Sequence, residues 1–192
     1  MIITIGREYG SNGHKIGELV AEKLGIKLYD KENLEEEAKK TDQYDELRSF
    51  YEEQPVNSLL YVIATTSYNG GKQGKVPFEF IRQVAARESC VIIGRAGNYI
   101  LRDNPEHVSV FIHAPEESKV NRIVADYGIS EKKARHKIEL EDKAREGFHT
   151  YYTDERWNVA KGYDFCIDSS VMSEEDAADM IIEFAKRKLN IK

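Results

Sequence analysis

The stretch MIITIGREYGSNGHKIGELVAEKLG, residues 1–25, contains the signals that decide the fold. Its first five residues are a β-branched apolar run that stops at Gly6, which is typical of a strand buried inside a parallel sheet. Beyond the glycine-rich segment, Ile16 and Val20 recur at helical spacing, and Gly25 is placed to end the helix. The stretch therefore predicts a buried strand, a glycine-rich loop and a helix.

The alternation of short strands and helices continues along the chain. Further strands are predicted at 26–29, 90–93, 107–113 and 163–168. Helices are predicted over 30–40, as one or two helices over 44–69, from Pro77, over 116–127, after the capping residue Ser130 and after the capping residue Ser173. Residues 69–75 are a predicted loop. Five apolar strands separated by helices predict an α/β fold with a parallel sheet covered on both faces. Ligand sites in such sheets lie at the carboxyl ends of the strands.

Composition places limits on the class of protein. The chain has 192 residues, which fits one domain over 1–192, and its 28 basic and 34 acidic residues give a net charge of −6. This negative net charge argues against nucleic-acid and membrane partners, and the sequence also lacks a stripe of interleaved basic and aromatic residues. Cys90 and Cys166 lie in apolar runs and form no disulfide scaffold, so we expect a reduced compartment. With no apolar leader or span, we expect a cytoplasmic protein. The oligomeric state stays open.

The glycine-rich loop predicts a phosphate site. Glycines let the backbone approach an anion, and the amide groups at the start of the following helix attract negative charge. The alternative is a plain strand-to-helix turn, but Arg7 and Lys15 lie close in sequence and favour an anion. The predicted nucleotide-binding residues are the whole loop: Gly6, Arg7, Glu8, Tyr9, Gly10, Ser11, Asn12, Gly13, His14 and Lys15.

The loop departs from the P-loop consensus G-x-x-x-x-G-K-[ST]. It is one residue longer, so the lysine position falls on Gly13 or His14. Lys15 or Arg7 could supply the positive charge, Ser11 the hydroxyl, and His14 a donor to phosphate. The rival interpretation is a dinucleotide-binding loop with Asp30 as the ribose-binding acid. It is disfavoured because the spacing is G-x-x-x-G-x-x-G.

Three blocks resemble one known family. ITIGREYGSNGHKIGELVAEKLGIKLYDKE at 3–32, SCVIIGRAGNYIL at 89–101 and YDFCIDSS at 163–170 are similar to the cytidylate kinase-like family of bacterial P-loop proteins. The resemblance implies a three-layer P-loop NTPase fold, a five-stranded parallel sheet with helices on both faces and a helical lid. It also implies ATP and Mg²⁺ as cofactors and small-molecule nucleotides as substrates.

The resemblance assigns roles to particular residues. True cytidylate kinases have Asp-Gly-Arg at the end of the third strand, and the corresponding triplet here is Ile93-Gly94-Arg95. Arg95 therefore resembles the arginine that binds the acceptor. The aspartate of the motif is missing, since Ile93 takes its place. An Asp-x-x-Arg pair is matched by Asp142 and Arg145. The implied catalytic residues are Arg7, Lys15, Arg95 and Arg145. The implied substrate-binding residues are Asp30, Arg95, Arg122, Arg135, Asp142 and Arg145, and no protein metal ligand is predicted.

The expected function is phosphoryl transfer from ATP to a nucleoside monophosphate, with CMP or dCMP as the first candidates. Residues 30–88 are the expected acceptor-binding helical insert, and 119–141 the expected lid. Because the loop lysine is displaced and the third-strand acid is absent, two alternatives stay open. One is a nucleotide-binding or regulatory module with weak or no kinase activity, and the other is a kinase for a non-nucleotide small molecule.

Overall fold

A parallel sheet forms the centre of the described part of the chain. The computed structural model describes residues 1–51 and 75–191. In these residues the sheet has five strands in the order β2-β3-β1-β4-β5. The strands are β1 (Ile2–Arg7), β2 (Lys27–Tyr29), β3 (Cys90–Ile93), β4 (His107–His113) and β5 (Phe165–Asp168).

Helices connect the strands and cover both faces of the sheet. They are α1 (Gly13–Leu24), α2 (Lys31–Lys39), α3 (Tyr44–Tyr51), α4 (Lys75–Arg87), α5 (Gly97–Ile100), α6 (Glu116–Tyr127), α7 (Glu131–Thr153) and α8 (Glu174–Lys188). A short 3₁₀ turn, Ala160–Gly162, precedes β5. The predicted α/β fold with a five-stranded parallel sheet is confirmed.

Alternation along β1 divides the core into two halves. Ile2 packs in one apolar cluster with residues of α2, α3, α4 and α5. Ile3 and Ile5 point the opposite way and pack with residues of α1 and α8. Because successive side chains of a strand face opposite sides, a strand that is apolar at nearly every position needs helices on both faces.

Local capping signals fix several helix ends, and the predicted caps Ser130 and Ser173 and the predicted helix end at Gly25 are confirmed. The side chains of Asp30, Ser130 and Ser173 cap α2, α7 and α8 by accepting hydrogen bonds from backbone amides three residues later. Gly25 and Gly128 follow α1 and α6 with left-handed backbones, the conformation that glycine adopts most easily.

Two element boundaries differ from the predictions. Strand β1 continues through Arg7, since Gly6 and Arg7 pair with Phe111 and Ile112 of β4. The glycine loop between β1 and α1 is therefore residues 8–12, shorter than the predicted 6–15. Helix α4 is described from Lys75, so Pro77 lies in its first described turn, where the missing amide costs little. The predictions for 52–69 and 69–74 lie outside the described residues.

The segment 119–141, predicted as a lid, lies in a helical hairpin made of α6 and α7. This α6–α7 hairpin has its own small apolar cluster of Val120, Ile123, Ala134 and Ile138. The side chain of Tyr9, from the glycine loop, packs against that cluster. Among the described residues, the model contains no helix that combines the length and apolarity of a membrane span.

Candidate functional site

The glycine loop presents an open helix start. Asn12, just before α1, has a left-handed backbone (φ 58°), and its side chain makes no capping hydrogen bond to the helix. The first amides of α1 are therefore left without the side-chain acceptor that usually satisfies them, and such a terminus favours an anion. A Cβ built on Gly13 would lie 2.4 Å from Cβ of Arg7, so the backbone turn requires glycine there.

Inside the loop, Ser11 closes a tight turn. Its hydroxyl donates to the carbonyl oxygen of Glu8 at 2.8 Å, and its side chain is buried. The hydroxyl proposed from sequence as a magnesium ligand is therefore used to shape the loop.

The two basic residues after the loop contact acidic groups on neighbouring helices. Lys15 has a side chain that is 62% exposed, with Nζ 3.7 Å from Oε1 of Glu174. Nε2 of His14 lies 3.3 Å from Glu18 and 3.7 Å from Asp30. In this structure, neither side chain takes the place of the P-loop lysine.

A buried ionic network joins the loop to the α6–α7 hairpin. Nζ of Lys119 lies 2.9 Å from Oε2 of Glu8 and 3.4 Å from Oδ2 of Asp142. The backbone amide of Tyr9 donates to Oδ1 of Asp142 at 2.6 Å. Burial raises the pKa of Asp142, against the opposing effects of the Tyr9 amide, Lys119 and Arg145. The network places a carboxylate directly on an amide of the glycine loop.

Arg122 connects the loop to the end of β5. Its Nη1 donates to the carbonyl oxygen of Gly10 at 3.2 Å and to Oγ of Ser169 at 3.1 Å. Ser169 in turn donates to the carbonyl oxygen of Ser11 at 2.7 Å. In this structure Arg122 supports the loop backbone.

Beside the loop, at the carboxyl edge of the sheet, lies a cleft into which three arginines converge. We call it the arginine cleft, and it is lined by Thr4, Gly6, Arg7, Gly94, Arg95, Ala96, Asn98, Arg145, Phe148, His149, Trp157 and Tyr163. Among the described residues, no acidic side chain lines it. An arginine-lined cleft without carboxylates in its wall is suited to bind phosphate oxygens.

The first of these arginines is held by an unusual backbone turn. Gly94, Arg95 and Ala96 have consecutive left-handed backbones, with φ of 74°, 56° and 52°. Such conformations cost energy in residues other than glycine and concentrate at functional sites. Arg95 is buried, with 4% of its surface exposed to solvent. Its Nη1 donates to the carbonyl oxygen of Phe50 at 2.8 Å. Its guanidinium lies 5.3 Å from the ring centroid of Phe148.

The other two arginines come from opposite ends of the sequence. Arg7 lies against Gly94, where a built Cβ would be 2.4 Å from Nη1 of Arg7. Arg145 donates from Nη1 to the carbonyl oxygen of Arg7 at 3.0 Å. Its Nε is buried and has no hydrogen-bond partner among the described residues. Because a buried donor without an acceptor is costly, this group favours an anionic ligand in the cleft.

Aromatic residues form the opposite wall. Phe111, from β4, packs behind that wall, with its ring centroid 5.4 Å from that of Trp157 and 4.9 Å from that of Tyr163. The hydroxyl of Tyr163 donates to the carbonyl oxygen of Trp157 at 2.7 Å, and burial raises the pKa of this tyrosine. Trp157 is packed within the wall, in line with a structural role.

The sequence profile of the cytidylate kinase-like family matches residues 2–171, most of the chain. The chain belongs to this family. The predicted resemblance is therefore confirmed, and the match covers both the glycine loop and the arginine cleft.

Two curated relatives match parts of the chain. A uronate isomerase from Corynebacterium glutamicum is 30% identical over 107 residues, covering 54% of this chain and 20% of that protein. A cytidylate kinase from Sulfolobus acidocaldarius is 26% identical over 115 residues, covering 59% of this chain and 62% of that protein. The matches thus span less than two thirds of the length of either relative.

Solved structures share the whole fold. A crystal structure of an uncharacterized protein from Eubacterium ventriosum has a TM-score of 0.77 and 34% identity, and covers 97% of this chain and 98% of its own. Shikimate kinase from Bacteroides thetaiotaomicron has a TM-score of 0.53 at 12% identity, and the match covers 99% of this chain and 98% of that one. At such low identity the second likeness concerns the fold alone.

Four of the predicted substrate-binding residues lie outside the arginine cleft: Arg122 and Asp142, which contact the glycine loop, and Asp30 and Arg135. Asp30 caps α2 by accepting from the amide of Asn33 at 2.9 Å. Arg135, on the α6–α7 hairpin, donates to Glu116 and Glu117, both at 2.7 Å. These contacts occupy the side chains of both Asp30 and Arg135.

Sequence reasoning assigned no site role to Lys119 or His149. Lys119 precedes Arg122 by three residues, on the helix that follows β4, so both side chains share one helix face toward the loop. That spacing is a signal that could have identified it. His149 is buried and lines the cleft, and burial lowers its pKa to about 4. Nothing in its local sequence distinguishes it from a core histidine.

Few groups are arranged to hold a metal ion. Among the described residues, no three His, Cys, Asp or Glu side chains form a metal-binding cluster. In kinases Mg²⁺ is held largely by the nucleotide phosphates and water, with one or two carboxylates. Near the glycine loop, the carboxylates of Glu8, Asp142 and Glu174 have the oxygen chemistry that Mg²⁺ prefers.

Proposed function

We propose that this protein is a kinase that transfers the terminal phosphoryl group of ATP to a nucleoside monophosphate, with CMP and dCMP as the first candidates. The observation that carries the proposal is the arginine cleft beside the glycine loop. Phosphoryl transfer requires two phosphate groups to be held close together while negative charge spreads over the moving group. In this proposal the loop and the cleft would serve as two adjacent anion sites at the carboxyl edge of the sheet.

In this proposal the glycine loop holds the ATP phosphates through backbone amides, and the arginine cleft holds the acceptor phosphate. Arg7 and Arg145 line the cleft next to the start of the glycine loop, where the Arg145 guanidinium contacts the backbone of Arg7 at the end of β1. They would stabilise the transferring group, and Arg95 would bind the acceptor phosphate bidentately. Mg²⁺ would neutralise phosphate charge when bound with the nucleotide.

The acceptor-binding role of residues 30–88 has one supporting contact in the described part of that segment. The carbonyl of Phe50, in α3, accepts from Arg95, and the Phe50 ring lies 5.3 Å from that of Phe148 in the cleft wall. The segment thus reaches the arginine that we assign to the acceptor. The α6–α7 hairpin would act as the lid that excludes water from the reaction.

The alternative of a nucleotide-binding module with little catalysis is favoured by one observation. Lys15 and His14 contact acidic groups on α1, α2 and α8, so the loop has no lysine of its own over the nucleotide phosphates. In the P-loop consensus that lysine reaches the β- and γ-phosphates. Binding without turnover would be the signature of this alternative.

The test is ADP release from MgATP with separate acceptors: CMP, dCMP, UMP, AMP, shikimate and gluconate. Turnover that depends on CMP or dCMP supports the proposal. Turnover with shikimate or gluconate alone would identify a kinase for a non-nucleotide acceptor. ATP binding by calorimetry without turnover on any acceptor would favour the binding module, and no ATP binding would refute both nucleotide-dependent functions.

The assignment of Arg95 is tested by Arg95→Lys, which keeps the charge and removes the bidentate fork. We expect KM for the acceptor to rise about tenfold, the factor for the loss of one charge-assisted contact, while the affinity for ATP is unchanged. Arg102→Ala is the control, because Arg102 is an exposed arginine that stacks on Tyr99 outside the cleft. An equal effect of both variants on KM would contradict the assignment.

A further inference from the structure

A side-chain carboxylate is bound to the glycine loop. Oδ1 of Asp142 accepts from the amide of Tyr9 at 2.6 Å, although the two residues are 133 positions apart in the chain. Its other oxygen lies 3.4 Å from Nζ of Lys119, and Nη1 of Arg145 lies 3.8 Å from Oδ1. A backbone amide, an ammonium group and a guanidinium group are also the donors that a phosphate oxygen takes in a nucleotide site.

The same contact attaches the α6–α7 hairpin to the loop. Asp142 lies on α7 and Lys119 on α6, and Lys119 also contacts the carboxylate of Glu8 at 2.9 Å. A Cβ built on Gly10 would lie 3.1 Å from Cβ of Lys119, so the loop backbone is packed against α6. The hairpin is thus seated on the loop by the groups that form the ionic network.

The position of Asp142 is an energetically expensive one for a carboxylate. Burial, helped by the nearby charge of Glu8, raises its pKa despite the opposing effects of the Tyr9 amide, Lys119 and Arg145. A carboxylate that is only partly compensated for its lost hydration can be displaced by a ligand with more charge and more oxygen atoms. A phosphate chain has both properties.

We propose that Asp142 is an intramolecular competitor for the anion site of the glycine loop, and that a nucleotide phosphate chain binds by displacing its carboxylate. The inference rests on the proposed function, since it assumes that the loop binds phosphate. Displacement would break one of the contacts that hold the α6–α7 hairpin on the loop, so nucleotide binding would loosen the hairpin for its movement as a lid. The freed carboxylate would then be available to the acceptor.

The test compares the affinities of the wild type, Asp142→Asn and Glu139→Gln for ATP and for inorganic triphosphate, by calorimetry. Asp142→Asn keeps the size of the side chain and an oxygen acceptor, and it removes the charge. Glu139→Gln removes one charge from the same helix at an exposed site, where the carboxylate pairs with Lys143 at 2.7 Å. We expect Asp142→Asn to bind both ligands about tenfold more tightly than the wild type, and Glu139→Gln to change the affinity little.

The outcomes separate the two proposals. If the wild type binds ATP and Asp142→Asn binds equally or more weakly, the competitor role is refuted and the proposed function is untouched. If Asp142→Asn alone binds, the competitor role is supported. If no protein binds ATP or triphosphate, the proposed function is refuted and the inference fails with it.

A measurement on the unaltered protein covers the case in which Asp142→Asn does not fold. The amide resonance of Tyr9 and the side-chain carboxyl carbon resonance of Asp142 are followed by NMR while triphosphate is added. We expect both resonances to shift together, the carboxyl carbon toward the value of a hydrated carboxylate. A Tyr9 shift with an unchanged Asp142 resonance would contradict displacement.

Discussion

Replacement of Gly94 by alanine separates backbone strain from the position of Arg7. Gly94 has a left-handed backbone with φ of 74°. An alanine there pays the cost of that conformation, about 1–2 kcal/mol. For a chain of this length the loss corresponds to a decrease in Tm of roughly 2–8 °C.

The added methyl group also meets Arg7. The built Cβ lies 2.4 Å from Nη1 of Arg7, which is the far end of a flexible side chain. The guanidinium can move away with little further loss of stability, but it then leaves its place in the arginine cleft. We therefore expect the affinity for pyrophosphate, a compact anion of two phosphate groups, to fall about tenfold.

Gly128→Ala is the matched control. Gly128 has φ of 63°, and a Cβ built there meets no atom within 4 Å. Both variants should lose similar stability in urea unfolding, and only Gly94→Ala should lose affinity for pyrophosphate in calorimetry. Equal affinities of the two variants would refute the placement of Arg7 in an anion site. A much larger stability loss for Gly94→Ala than for Gly128→Ala would show that the Arg7 guanidinium cannot move away from the added methyl group.

Three further predictions concern stability. Gly147→Ala, in the interior of α7 with open space around its Cβ, should raise the free energy of unfolding by about 0.5–1 kcal/mol in urea titrations; a decrease would contradict the packing around α7. Burial lowers the pKa of His107 and of His149 to about 4 from an unfolded value near 6.5. The unfolded state therefore binds more protons, so stability should fall as the pH decreases from about 6.5 toward 4, by up to about 1.4 kcal/mol per pH unit for each histidine. His149→Gln should reduce this slope in urea titrations at several pH values, and an unchanged slope would refute its contribution. Ser173→Ala, which removes the N-cap of α8, should cost about 1 kcal/mol, and an unchanged Tm would contradict the capping role.

Local sequence signals were sufficient for the architecture. The apolar run of β1 predicted a strand with helices on both faces, because its two faces both need apolar cover. Capping residues such as Ser130 and Ser173 predicted helix starts, because a cap acts through amides only three residues away. The length of β1 was wrong by two residues, since its end depends on pairing with β4, a distant partner.

The sequence by itself determined the strands, the helices between them and the presence of a glycine loop after β1, since each depends on residues that are neighbours in the chain. The tertiary structure decided which cations reach the site. Lys15 is next to the loop in sequence, but its side chain contacts Glu174 on α8. Lys119 and Arg145 instead extend from the α6–α7 hairpin and contact Glu8 and the backbone of Arg7. The physical reason is that a side chain's direction follows from the packing of its helix against distant elements, and no local pattern encodes that packing. The contact of Asp142 with the Tyr9 amide belongs to the same class.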